Sequence, residues 1–355
     1  MNLARLLQFF ETRKSRNEPL VLVTVYETQG STYSKAGAHM LVDGNGIFQG
    51  MLSGGCLEGD LAIRAQIVIE SGNPQSVTYD LGTDDDEVWG LGVGCDGLMR
   101  VFLQPLRADS DYQPFAAIAD ALQAASNSVV ATIIESAAPL VPVGAAVLVR
   151  GDEIQSWRMD SALVSDIAAE ARAVLQKMAS RTTHMRAGDK DIHVLLAVVE
   201  IPPRVLVLGA GPDAEPVVRF AAELGWRCTI VDHRQAYVDT GEFPGAEAIH
   251  CIEADKLSAS LDLAIFDMAI VMSHHLVSDR SYLRQLAATD IGYIGLLGPG
   301  NRRQRLLSDL GVLAESLRDR LRGPAGLDIG GRGPAPIALS IIAQMQAEIR
   351  RPGDS

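Results

Sequence analysis

The stretch from Arg204 to Ala214 constrains the fold more than any other part of the chain. It reads Arg-Val-Leu-Val-Leu-Gly-Ala-Gly-Pro-Asp-Ala, an apolar run too short for a helix, then two glycines one residue apart, then AEPVVRFAAELG with helical spacing. A strand that passes through glycines directly into a helix is the start of a βαβ unit. Gly209 permits the tight turn, and Gly211 lets a phosphate approach the backbone where the helix N-terminus favours anions. Asp232 ends the next apolar run, CTIVD, about 20 residues on, where a carboxylate can accept hydrogen bonds from ribose hydroxyls. The runs RVLVLG, CTIVD, MAIVM and IGYIGLL alternate with helix-periodic segments, which predicts a Rossmann-like domain with a parallel sheet and helices on both faces. Two details oppose a dinucleotide at this turn: Pro212 removes one N–H, and Asp213 brings a carboxylate near the phosphate position. NAD or NADP stays an alternative ligand.

A length of 355 residues predicts more than one domain. Ile201-Pro202-Pro203-Arg204 interrupts two apolar runs and reads as the linker, giving domains over 1–200 and 203–355. The first is an N-terminal α/β domain in which strands and helices alternate loosely. An amphipathic helix carries Leu3, Leu6, Leu7 and Phe10, and PLVLVTVYE, AHMLVD, GIFQGML, SVTYDL and LMRVFLQPL read as strands. A helix ending at Gly72, helices over about 115–125 and 163–179, and strands VVATIIE, AAVLVR and HVLLAVV complete it.

Composition narrows the function classes. Hydrophobic residues at 47% and charged residues at 21% predict a folded chain, and a formal charge of -13 opposes attraction to nucleic acid or anionic membranes. No signal-peptide pattern and no apolar run long enough for a membrane helix is present, and four cysteines without paired spacing suit a reducing compartment, so a cytoplasmic location is expected.

Ser53-Gly54-Gly55-Cys56-Leu57-Glu58-Gly59 lies between a short strand and a helix, which places Cys56 at or just before a helix N-terminus. That setting makes thiolate available as a nucleophile or soft-metal ligand. Gly54 and Gly55 leave room for ligand atoms, and Glu58 either complements the helix dipole or receives a proton. Cys95 has a similar frame, Gly92-Val93-Gly94-Cys95-Asp96-Gly97. The competing reading for both is a small buried hydrophobe beside a turn. Cys228 and Cys251, within strand-like runs, are expected in the core. His274 and His275 follow MAIVM and should project from the carboxyl edge of the sheet, although adjacent histidines are poor chelators of one ion. Arg302, beside Gly298 and Gly300, is the arginine best placed to meet a phosphate, with a solvated helix face as the alternative.

Together the strings QGSTYSKAGAHMLV, SGGCLEGD, WGLGVGCDGLMRVFLQPL, VDHR after the glycine turn, VMSHHLVSD, YIGLLGPGNRRQRL and GLDIGG resemble the xanthine dehydrogenase accessory (XdhC/CoxI) family, from about Val21 to Met345. The chain departs from the family's usual wording at Pro212-Asp213-Ala214, at Ser273-His274-His275-Leu276 and at Gly298-Pro299-Gly300-Asn301. The resemblance implies a maturation factor that binds molybdenum cofactor (molybdopterin), supports its sulfuration with a cysteine desulfurase, and helps insert it into an apo molybdenum hydroxylase. On that reading Cys56 is the contact to molybdenum or sulfur, and the protein is a carrier rather than a catalyst. Two other classes are an NAD(P)-dependent oxidoreductase holding ribose through Asp232, and a docking scaffold for an apoenzyme. A homo-oligomer is compatible with all three.

Overall fold

The computed structural model describes residues 3–80 and 97–349. It divides into two compact units, Leu3–Ile201 and a second that begins at Pro202. In the first unit, helix α1 (Leu3–Lys14) precedes a five-stranded sheet of β1 (Leu20–Gln29), β2 (His39–Asp43), β3 (Phe48–Gln49), β4 (Gln75–Asp80) and β5 (Leu98–Leu106), in the order β3-β2-β1-β5-β4. Every pairing in it is antiparallel. Alternation along β1 sends Val21, Val23 and Val25 to one face, where Leu61, Ala65 and Val68 of α2 (Glu58–Ser71) cover them. Leu20 and Leu22 point the other way, into a cluster with Leu6 and Phe10 of α1 and with Phe115 of α3 (Phe115–Gln123). Each such side chain contributes about 1.5–3 kcal/mol through burial.

A second antiparallel sheet comprises β6 (Ser128–Ser136), β7 (Ala146–Arg150), β8 (Glu153–Trp157), β9 (Arg181–Ala187) and β10 (Lys190–Val199), ordered β8-β7-β6-β10-β9. Its outer face is covered by Leu163, Ile167, Ala171 and Val174 of α4 (Ser161–Lys177), whose N-terminus is capped by the Asp160 carboxylate. The edge strands β8 and β9 lacked a sequence signal because polar residues occupy most of their positions. Of the predicted strand GIFQGML, only Phe48 and Gln49 pair.

Two histidines, His39 half-buried and His193 buried, make the first unit acid-sensitive. His39 borders a cavity of about 30 Å³ between the sheets, and its Nε2 is sealed from solvent without a hydrogen-bond partner among the described residues. His193 stacks on His184 at 4.2 Å between ring centroids. Burial pushes both imidazoles below their ordinary value of 6.5, and His184 adds to this at His193. Below about pH 6.5 the unfolded chain therefore binds protons that the folded chain refuses. Stability should be full above that pH and fall as pH drops, by at most about 1.4 kcal/mol per unit for each histidine. Urea midpoints measured from pH 7.5 to 5 should show this slope, and His39→Gln with His193→Gln should flatten it. An unchanged slope in the double variant assigns the effect elsewhere.

The second unit holds six parallel strands, β11 (Arg204–Leu208), β12 (Arg227–Asp232), β13 (Ala246–Cys251), β14 (Met268–Val271), β15 (Tyr293–Leu296) and β16 (Leu321–Arg322), in the order β13-β12-β11-β14-β15-β16. The helices are α5 (Ala214–Glu223), α6 (Gln235–Thr240), α7 (Leu257–Ser260), α8 (Leu276–Leu286), α9 (Gly300–Leu310), α10 (Ala314–Leu317) and α11 (Pro334–Glu348). α5 and α11 pack on one face, through Val217, Ala221, Ile341 and Met345, while α8 and α9 cover the other through Leu283, Leu286 and Leu306. The expectation that Cys251 lies in the core is corrected. It sits on the edge strand β13, whose residues alternate between half-buried and exposed, and it is exposed. Cys228 on β12 is buried, and burial pushes its thiol up to about 12.

Candidate functional site

The loop from Leu52 to Leu57 leads into α2 and is closed by its own acid. One Glu58 oxygen accepts from the N–H groups of Leu52 (2.7 Å) and Ser53 (2.8 Å). The other accepts from the Ser53 hydroxyl (2.5 Å) and the Gly55 N–H (2.9 Å). Ser53 Oγ in turn accepts from the Leu57 N–H at 2.7 Å, taking up an orphan donor of the helix start. Glu58 is buried, and burial alone would raise its pKa. The Ser53 hydroxyl and the backbone donors outweigh that and hold it below the usual carboxylate range. Standing in the first turn of α2, the carboxylate is placed to complement the helix dipole, and its hydrogen bonds also shape the loop.

Gly54 and Gly55 have φ of +79° and +111°, the left-handed region where side chains are strained. A β-carbon at Gly55 would meet nothing within 4 Å among the described residues. Cys56 follows as a free, half-buried thiol. A half-buried thiol beside two glycines, with the nearby carboxylate turned inward, suits a soft ligand that already carries sulfur. Cys95 lies outside the described residues, as does the rest of its glycine-rich stretch up to Asp96.

Gly209, Gly211, Asp232, His274 and Arg302 gather at the carboxyl edge of the parallel sheet, in the second unit. Gly209 needs to be glycine, since a β-carbon there would come within 2.6 Å of the Met272 carbonyl. Asp232 is buried and fully engaged: it accepts from the Ala210 N–H at 2.8 Å, and from the Arg234 N–H and guanidinium at 2.7–2.9 Å. It thus ties the glycine turn to β12. Arg302 donates through Nε and Nη2 to Asp279, at 3.1 and 2.6 Å, and the Ser273 hydroxyl donates to the same carboxylate at 2.5 Å. Asp279 is buried and was missed in the sequence, because its role depends on an arginine 23 positions later. His274 Nε2 lies 2.6 Å from the Asp213 carboxylate. His275 caps α8, its ring accepting from the Ser278 N–H.

These features define a class: a two-unit α/β protein with a free cysteine in a glycine loop of an antiparallel unit and a separate Rossmann-type parallel unit. The pattern of the XdhC Rossmann domain matches residues 205–345, and that of the XdhC and CoxI family matches residues 14–80. A Bacillus subtilis protein described as a probable xanthine dehydrogenase component is 30% identical over 328 residues, 92% of each chain. The molybdenum cofactor insertion chaperone PaoD of Escherichia coli is 22% identical over 92% of this chain and 82% of its own. A crystal structure of a xanthine dehydrogenase from Bacillus halodurans superposes with a TM-score of 0.80 at 29% identity, covering 98% of this chain and 97% of the other. The chain belongs to the XdhC and CoxI family.

Proposed function

We propose that this protein carries molybdenum cofactor to a xanthine-dehydrogenase-type apo hydroxylase in the cytoplasm, with a cysteine desulfurase supplying sulfur while the cofactor is held. Family membership and the likeness to a named insertion chaperone support the reading. The single observation that carries it is the free Cys56 thiol in a loop whose shape is set without it. When bound, the cofactor supplies a molybdenum–sulfur centre. Cys56 contacts that centre as a soft ligand, Gly54 and Gly55 keep side chains out of its way, and Glu58 and Ser53 hold the loop in place. No helix among the described residues is long and apolar enough to cross a membrane.

Cys56→Ala should leave the thermal midpoint nearly unchanged, since one small side chain replaces another outside the core. Molybdenum cofactor retained on purification, read as pterin fluorescence after acid oxidation, should fall severalfold. Equal retention by parent and variant removes Cys56 from the binding site.

A further inference from the structure

Asp213 stands at the N-cap of α5, yet its side chain makes no capping hydrogen bond. Its Oδ1 lies over Gly211, so close that a β-carbon on that glycine would approach it to 2.9 Å. Its Oδ2 meets His274 Nε2 at 2.6 Å. The two partners come from different strands, Asp213 after β11 and His274 after β14. Those strands are neighbours, and the chain builds outward from them in opposite directions, β12 and β13 on one side, β15 and β16 on the other. Such a reversal makes the crevice between the two carboxyl ends the place where open parallel sheets take ligands. His274 reaches across it with φ at +58°, a conformation uncommon outside glycine. Beneath the same edge the hydroxyl of Tyr282 is wholly buried, has no hydrogen-bond partner among the described residues, and lies in the field of the Asp232 and Asp279 carboxylates.

We propose that Asp213 and His274 form an autoinhibitory latch that closes the glycine turn to phosphate-bearing nucleotides. The carboxylate fills the space over Gly211 that a phosphate would occupy, and its charge takes the favourable field of the α5 N-terminus. The bridge to His274 spans the crevice itself. Because His274 is largely exposed, at 61% of its side chain, the bridge is held by a solvated partner and can open without disturbing the core. The latch concerns the second unit alone and stands or falls independently of cofactor retention at Cys56.

Calorimetric titration of the full-length protein with ADP tests it. Asp213→Ala should bind ADP at least about tenfold more tightly than the parent, since a fixed negative charge leaves an anion site. His274→Ala should gain less, because the carboxylate remains but loses its anchor. Asp213→Asn keeps the size and removes the charge, should also gain, and decides the question if the alanine variant does not fold. ADP affinity that is the same in the parent and all three variants, whether strong or undetectable, overturns the latch.

Discussion

Glu58→Ala should lower the stability of the first unit by about 3–5 kcal/mol, one of the two largest effects expected from a single substitution in this chain. Four donors converge on that carboxylate, and two of them are backbone N–H groups within 2.8 Å of one oxygen. Removing it leaves the loop donors without an acceptor, at about 1–3 kcal/mol for each that stays buried. Glu58→Gln should lie between, because its amide nitrogen faces donors where the second carboxylate oxygen accepted. Thermal unfolding and cofactor retention should fall together, whereas Cys56→Ala separates them. The pH dependence has the opposite window from that of the histidines. A carboxyl held below its ordinary value of 4.5 contributes stability that is full above that value and is lost as pH falls through its folded pKa. An alanine variant with the parent's thermal midpoint would falsify the loop-closing role.

The second large effect is expected at Asp232. Its place after CTIVD suggested a ribose contact, for which alanine would cost only ligand affinity. In the structure the same carboxylate holds the Ala210 N–H and Arg234, whose guanidinium also lies 3.9 Å from the Tyr237 ring centre. Burial works against its charge, but Arg234 and the backbone donors keep it below the usual carboxylate range. Asp232→Ala should therefore destabilise the second unit by about 2–4 kcal/mol, less than a fully buried pair because the Arg234 side chain is 31% exposed. Urea unfolding should register the loss without any nucleotide present. A variant as stable as the parent, but weakened toward a nucleotide, would overturn this expectation and favour the ribose role.

What could be read from the sequence follows from how local each signal is. The strands β11, β12, β14 and β15 declared themselves because both faces of the parallel sheet are covered, so they are continuous apolar runs. The run around Cys251 read as a strand too, but not as the edge strand β13, which has half its residues exposed. Arg181–Ala187 was silent because polar residues occupy most of its positions. At the sites, glycines and the cysteine were visible because their chemistry is intrinsic to the residue. Partners were not. Arg302 and Asp213 stood out beside their glycines, but Asp279 as the partner of the first and His274 as the partner of the second did not. Pairs formed between residues far apart in the chain leave no spacing to detect.

The inward turn of Glu58 bears on kinetics as well as on shape. Since the loop around Cys56 draws its order from within the chain, a ligand arriving there need not first freeze a mobile segment, and its departure need not melt one. Binding and release then differ only by the contacts made with the ligand itself. On the proposed carrier role, such a surface would exchange its load quickly at modest affinity, with the time a ligand stays set by a few atoms around one sulfur rather than by folding of the protein that holds it.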